Sequence, residues 1–129
     1  MLNHSNIEIG EQFLAAYNAH NWEGIRKLLH PSVKWTLPGN GAISGTAEGI
    51  DAVINRVKSI VDGKVCTQLH GILVGQFGLT LSLHNSAVSD DGRVLEEELA
   101  TVLTIESELI TKIDTYLSDV AGMEQYFSK

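Results

Sequence analysis

Three acidic residues in a row, Glu96-Glu97-Glu98, interrupt a stretch that alternates between apolar and polar positions. Val94 to Ile105 reads as a strand, so the middle carboxylate points opposite to its two neighbours. Alternation sets Glu97 on one face with Leu95, Leu99, Thr101, Leu103 and Ile105. A carboxyl held among such residues is pushed towards its neutral form by desolvation, which suits a general acid or base. The competing reading is a solvated charge run at a strand end, because unpaired carboxylates are seldom buried. Asp114 is the second catalytic candidate. Alternation over Ile110 to Leu117 puts Ile113, Thr115 and Leu117 inward and Asp114 outward, so Asp114 turns in only through a one-residue slip or a bulge.

The other residues able to do chemistry have blander readings. His70 and His84 fall on strands, on the outer face with Thr80 and Ser82. Neither a His-x-His nor a His-x-x-x-His pair occurs, so no metal is expected. Cys66 is alone, which excludes an internal disulfide, and it reads as a small buried apolar residue. Gly39 to Gly49 holds no phosphate-binding or dinucleotide-binding pattern, and no cofactor is expected.

The elements that position these residues follow from periodicity. Ser5 and Glu8 fit a capping box before a helix carrying Ile9, Phe13, Ala16 and Tyr17 on one face. Asn21 caps a short helix with Trp22, Ile25, Leu28 and Leu29, which Pro31 ends. Val33 to Leu37 reads as a strand with Trp35 and Leu37 on the side of Val33. A third helix runs from about Ala47 to Val61 and is closed by Asp62-Gly63. Val65–Val74, Gln76–His84, Val94–Ile105 and Ile110–Leu117 then read as strands. Ser89 to Gly92 is a hairpin signal and Glu106 to Leu109 a second turn, with a last short helix or docked tail from Val120 to Phe127. Phe77, Leu79, Leu81 and Leu83 share one face. Helices before an antiparallel meander give an α+β class, with the helices on one face of a curved sheet.

Composition fits one globular domain over residues 1–129. Of 129 residues, 43% are apolar and 19% charged, with a net charge of -7. The acidic balance excludes the basic clusters that a nucleic-acid partner needs. There is neither a signal peptide nor an apolar run long enough to cross a membrane, so a cytoplasmic location is expected.

The segments FLAAYNAHNWEGIRKLL (Phe13 to Leu29), WTLPGNGAISGTAEG (Trp35 to Gly49) and ITKIDTYLSD (Ile110 to Asp119), with Phe127 and the Asp-Gly hairpin, resemble the SnoaL-like branch of the nuclear transport factor 2-like superfamily. That superfamily includes ketosteroid isomerases, polyketide cyclases and dehydratases. The resemblance implies a cystatin-like, cone-shaped α+β barrel with one deep pocket, often a homodimer through the outer sheet face. It does not imply one reaction. The isomerases' base falls on Leu37, their oxyanion tyrosine on Phe13 and their protonated aspartate near Thr101. The cyclases' acid-base pair falls near Thr101 and Thr115, which transfer protons poorly.

The expected pocket is therefore walled by Phe13, Tyr17, Trp35, Leu37, Leu79, Leu81, Leu99, Thr101, Ile113, Thr115 and Leu117. It suits a small apolar molecule. Two functions stay open. One is a cofactor-free isomerase, cyclase or dehydratase using Glu97 or Asp114. The other is a non-catalytic ligand-binding or dimerisation domain.

Overall fold

The structure, a computed structural model, describes residues 4–128; the capping role read for Ser5 falls on a side chain outside the described ones. The element order is α1 (His4–Asn18), α2 (Trp22–Arg26), β1 (Leu29–Leu37), β2 (Gly45–Glu48), α3 (Ile50–Asp62), β3 (Cys66–Val74), β4 (Gly78–Val88), β5 (Val94–Glu106), β6 (Leu109–Leu117) and α4 (Val120–Tyr126). Six strands form one sheet in the order β2-β1-β6-β5-β4-β3. The sheet curves around the helices without closing, so β2 and β3 remain as edges. It is mixed rather than purely antiparallel, because β1 runs parallel to β6.

The fold departs from the sequence pattern at several places. Pro31 does not end a helix but lies within β1. The β1–β6 register shifts between Leu29 and Lys34, so proline sits where the ladder is already interrupted and its missing N–H costs nothing. Ala47 and Glu48, expected at the start of the third helix, belong instead to β2, which pairs with β1, Trp35 facing Ala47. Gly49 then takes a left-handed φ of 92° and donates its N–H to the Val33 carbonyl (2.7 Å), which turns the strand directly into α3. Phe77, expected inside, is 70% exposed. It precedes β4, in the β3–β4 turn, and its carbonyl accepts from the Ile105 N–H at 2.8 Å while its ring faces out.

The inner sheet face carries the core. Leu81, Leu83, Leu103 and Ile113 alternate with outward polar residues and meet Phe13 and Leu14 of α1 and Val53, Ile54 and Val57 of α3, all buried. The α3 stripe at i, i+1, i+4 and i+7 is the helical spacing read from sequence. Two bulges adjust the parity. Between Thr104 and Ile105 the β5–β6 register shifts, so Ile110 as well as Ile113 points inward. Another lies in β3 between Leu69 and Gly71. Cys66, expected buried, is exposed at the start of edge strand β3, on the outward side with Gln68.

α4 closes the open end of the cone. Asp119 caps it through the Gly122 N–H (2.9 Å). Arg93, in the β4–β5 hairpin, donates to the Tyr126 and Ser128 carbonyls at 2.7 and 2.6 Å. No other described side chain donates to these two carbonyls, and hydrogen bonds from a charged donor are worth about 1.5–3 kcal/mol each. Arg93→Ala is expected to lower the urea unfolding free energy by about 2 kcal/mol and to raise amide exchange selectively in residues 120–128.

Candidate functional site

The cone encloses a cavity of about 60 Å³ in its interior, within about 660 Å³ of empty space counted out to the mouth. α1 supplies Phe13, Leu14 and Tyr17, and β1 supplies Trp35 and Leu37. The floor is Leu81 and Leu83 of β4, Leu99 and Thr101 of β5, and Ile113, Thr115 and Leu117 of β6. Met123 of α4 and Phe127 just beyond it lie against the mouth side. Of the wall expected from sequence, Leu79 alone does not line the cavity. It is buried deeper, its side chain filling the space beside Gly10 of α1.

Two polar bands cross this apolar wall. The first joins β1, β5 and β6. Trp35 Nε1–H donates to Thr115 Oγ1 at 3.0 Å, and Thr115 Oγ1 lies 3.4 Å from Thr101 Oγ1. The bond fixes the indole; the Trp35 backbone carbonyl accepts from Arg56 Nη1 of α3 (2.7 Å), with the guanidinium 5.2 Å from the ring centre. The second band joins α1, β3, β4 and β5. Thr67 Oγ1 donates to Asn85 Oδ1 at 2.6 Å, and the Tyr17 hydroxyl bonds the Thr67 side chain. Burial pushes the Tyr17 hydroxyl up to about 12, more than the Thr67 bond lowers it, so it stays a neutral phenol.

Glu97 belongs to the second band, directly opposite Asn85 in the β4–β5 ladder. It is 4% exposed, while Glu96 and Glu98 on either side stand in solvent. Its Oε1 is buried with no hydrogen-bond partner among the described residues. Desolvation raises its pKa from 4.5 to about 7, and the nearby Asp119 carboxylate adds to the rise. The charge run is thus wet at both ends and dry in the middle, because a strand turns successive side chains to opposite faces. Asp114 takes the other outcome. It faces outward on β6, half-buried, with Lys112 Nζ 3.4 Å from Oδ2, and no bulge brings it into the cavity.

Sequence reasoning missed the polar neighbours of Glu97 on the cavity wall. Asn85 and Thr67 fall on the inner face by the same parity as Leu83 and Leu69, yet their small polar side chains carry no signal that distinguishes a cavity wall from a surface. Away from the cavity, His70, His84 and Glu98 meet on the outer face, with ligand-capable atoms all within 4.8 Å of one another. The sequence spacing gave no hint of this cluster, since its members come from three strands.

Comparison with known proteins places this geometry in a family. A model of the SnoaL-like domain matches residues 11–113. The uncharacterized protein Rv0034 of Mycobacterium tuberculosis is 21% identical over 131 residues, covering 99% of this chain and all of that one. Among solved structures, Bal32a from a soil-derived mobile gene cassette superposes with a TM-score of 0.90 at 17% identity, over 96% of this chain and 97% of that one. TerC, solved in co-crystals with polyporic acid, superposes with a TM-score of 0.82 at 19% identity, over 96% of this chain and 99% of that one. At these identities the superpositions establish a shared cystatin-like, nuclear transport factor 2-like fold. The family match spans most of the chain, and the protein belongs to the SnoaL-like domain family.

Proposed function

We propose that the cavity binds a small, mostly apolar molecule and that Glu97 moves a proton on it, in a cofactor-free isomerisation, cyclisation or dehydration. The observation that carries this reading is the buried, unpartnered Glu97 Oε1 at an apolar cavity. A protein that needed only packing there would place an apolar residue, since an uncompensated carboxyl costs stability. With a pKa of about 7, both forms of Glu97 are populated near neutrality, the condition under which one group serves as base and then as acid. The proton it takes from carbon returns to carbon or to a leaving hydroxyl, so no oxidant or cofactor enters the balance.

The first polar band gives the ligand its other anchor. Glu97 and Thr101 are four residues apart on β5, about 13 Å along the strand. Thr115 receives the Trp35 N–H, which leaves threonine hydroxyl hydrogen available to a ligand carbonyl or hydroxyl. A molecule of two or three fused rings with an oxygen at one end and an acidic C–H at the other spans that distance. Apart from the neutral Tyr17 phenol, Glu97 is the one ionisable group among the described residues that line the cavity, which supports the alternative of a pure ligand-binding domain. The relative TerC, co-crystallised with polyporic acid, supports a pocket for an organic ligand under either reading.

The test is a thermal-shift screen against steroids, aromatic polyketides, terpenes and fatty acids, followed by turnover of any hit. A hit at a hundred times its Kd should raise Tm by a few degrees. Glu97→Gln is expected to keep binding within a few-fold and to lower turnover by about 10²–10⁴-fold. Equal turnover by the variant contradicts the proton-transfer role, and no shift across the panel contradicts the apolar ligand.

A further inference from the structure

The outer face of the sheet carries a second cluster, on the side of β5 opposite to the cavity. His84 of β4 stands directly across from Glu98 of β5 in the ladder, its Nδ1 2.5 Å from Glu98 Oε2. His70 comes from β3 and stands at its bulge. The β3–β4 register passes from Leu69↔Leu83 to Gly71↔Ser82, which leaves His70 as the extra residue. The His70 Nε2 lies 3.7 Å from Glu98 Oε1, and its ring centre 6.0 Å from that of His84.

Glu96 adds a fourth group. Its Oε1 lies 2.8 Å from the far ring nitrogen of His84, Nε2. Metal-ligating histidines almost always give their outer N–H to a carboxylate, a backbone carbonyl or water, which fixes the tautomer and ring orientation. With Nε2–H given to Glu96, the Nδ1 lone pair is left on the side shared with Glu98 and His70. Glu96 and Glu98 make their ion pairs with these histidines rather than with lysine or arginine, so the cluster keeps a net attraction for cations. Two imidazoles and a carboxylate, with no thiolate, suit Zn²⁺, Co²⁺, Ni²⁺ or Cu²⁺, whereas Mg²⁺ and Ca²⁺ take all-oxygen sets.

We propose that His70, His84 and Glu98 form a binding site for a divalent transition metal, typified by Zn²⁺, in which Glu96 holds the His84 ring. His70 and Glu98 are about half exposed, with side-chain exposures of 52% and 61%. The remaining coordination positions are therefore open to water or to an external ligand, the arrangement of a three-ligand zinc site. This inference does not rest on the cavity, since Glu97 faces the other way.

The experiment uses the tag-free full chain, because an affinity tag of histidines would itself bind metal. Zn²⁺ is titrated calorimetrically, and Co²⁺ is titrated with its visible absorption as the readout. One ion per chain is expected, with no comparable binding of Mg²⁺. His70→Ala and Glu98→Gln are each expected to weaken Zn²⁺ binding at least tenfold, and Glu96→Gln by about tenfold. These side chains are at the surface, so the metal-free variants should melt within a few degrees of the parent. Glu97→Gln should leave the metal affinity unchanged within twofold. No binding by the parent overturns the site, as does binding that His70→Ala and Glu98→Gln both leave intact, because the ion would then sit elsewhere.

Discussion

Glu97→Gln is expected to stabilise the protein at pH 8 and to change its stability little at pH 4. Glutamine has nearly the shape of a protonated glutamate and cannot ionise. The carboxyl titrates near 4.5 in the unfolded chain and near 7 in the folded one. Below pH 4.5 it is protonated in both states and contributes nothing to the difference. As pH rises from 4.5 to 7 the unfolded chain loses this proton while the folded protein retains it, and the cost of burying the charge grows. Above pH 7 the cost is constant. Each pKa unit is worth about 1.36 kcal/mol, so the gap between variant and parent should widen by roughly 3 kcal/mol, as an upper figure, from pH 4 to pH 8. In a domain of this size that is a Tm difference of the order of 10 °C. Melting curves of both proteins across this range check it, since contributions from the other carboxylates cancel between them. Parallel curves would mean that Glu97 is solvated or paired. Asp119→Asn removes the smaller cause of the shift and should narrow the gap.

Gly78→Ala is expected to have the largest effect of any single methyl addition in the sheet. A Cβ at Gly78 would stand 1.9 Å from the Leu103 carbonyl oxygen and 2.9 Å from its carbon. Both are backbone atoms of β5, buried and held in the ladder, so no side chain can swing aside. Gly78 pairs with Thr104 at the first rung of β4, and its carbonyl accepts from the Gly75 N–H at 2.9 Å. A methyl group there forces the two strands apart at the rung that begins the floor of the cavity. Overpacking commonly costs 1–3 kcal/mol, and a clash with fixed backbone should exceed this range. Against a total stability of about 5–15 kcal/mol, the variant should unfold at a much lower urea concentration or fail to accumulate. Gly71→Ala is the control, because its Cβ would meet nothing within 4 Å, and it should be neutral or stabilising by under about 1 kcal/mol. Equal stability of the two variants would contradict the close approach.

Much of this architecture is legible in the residues. The apolar stripes of α1 and α3 and the period-two alternation of β4, β5 and β6 depend on geometry that every helix and strand shares, and they located most of the cavity wall. What escaped depends on contacts between distant segments. β2 is four residues long and exists because β1 offers it an edge. Pro31 reads as a helix stop until the interrupted β1–β6 register accounts for it. The side of β3 on which His70 falls agrees with simple alternation, yet Ile72 then faces inward at the same parity, which only the bulge explains. Cys66 looked apolar and is exposed because β3 is an edge strand. Glu97 shows the same limit at the site. Parity placed it on the inner face, but whether an inner face is dry depends on α4 and Phe127 closing the mouth, and nothing local to residue 97 encodes that.

The most direct measurement of the central claim is a ¹³C NMR titration of the Glu97 side-chain carboxyl in glutamate-labelled protein, assigned by the signal lost in Glu97→Gln. A buried, uncompensated carboxyl at an apolar cavity should titrate with a midpoint near 7. A midpoint between 4 and 5 would contradict the account, since it would mean that Glu97 is hydrated and has no poised proton to transfer.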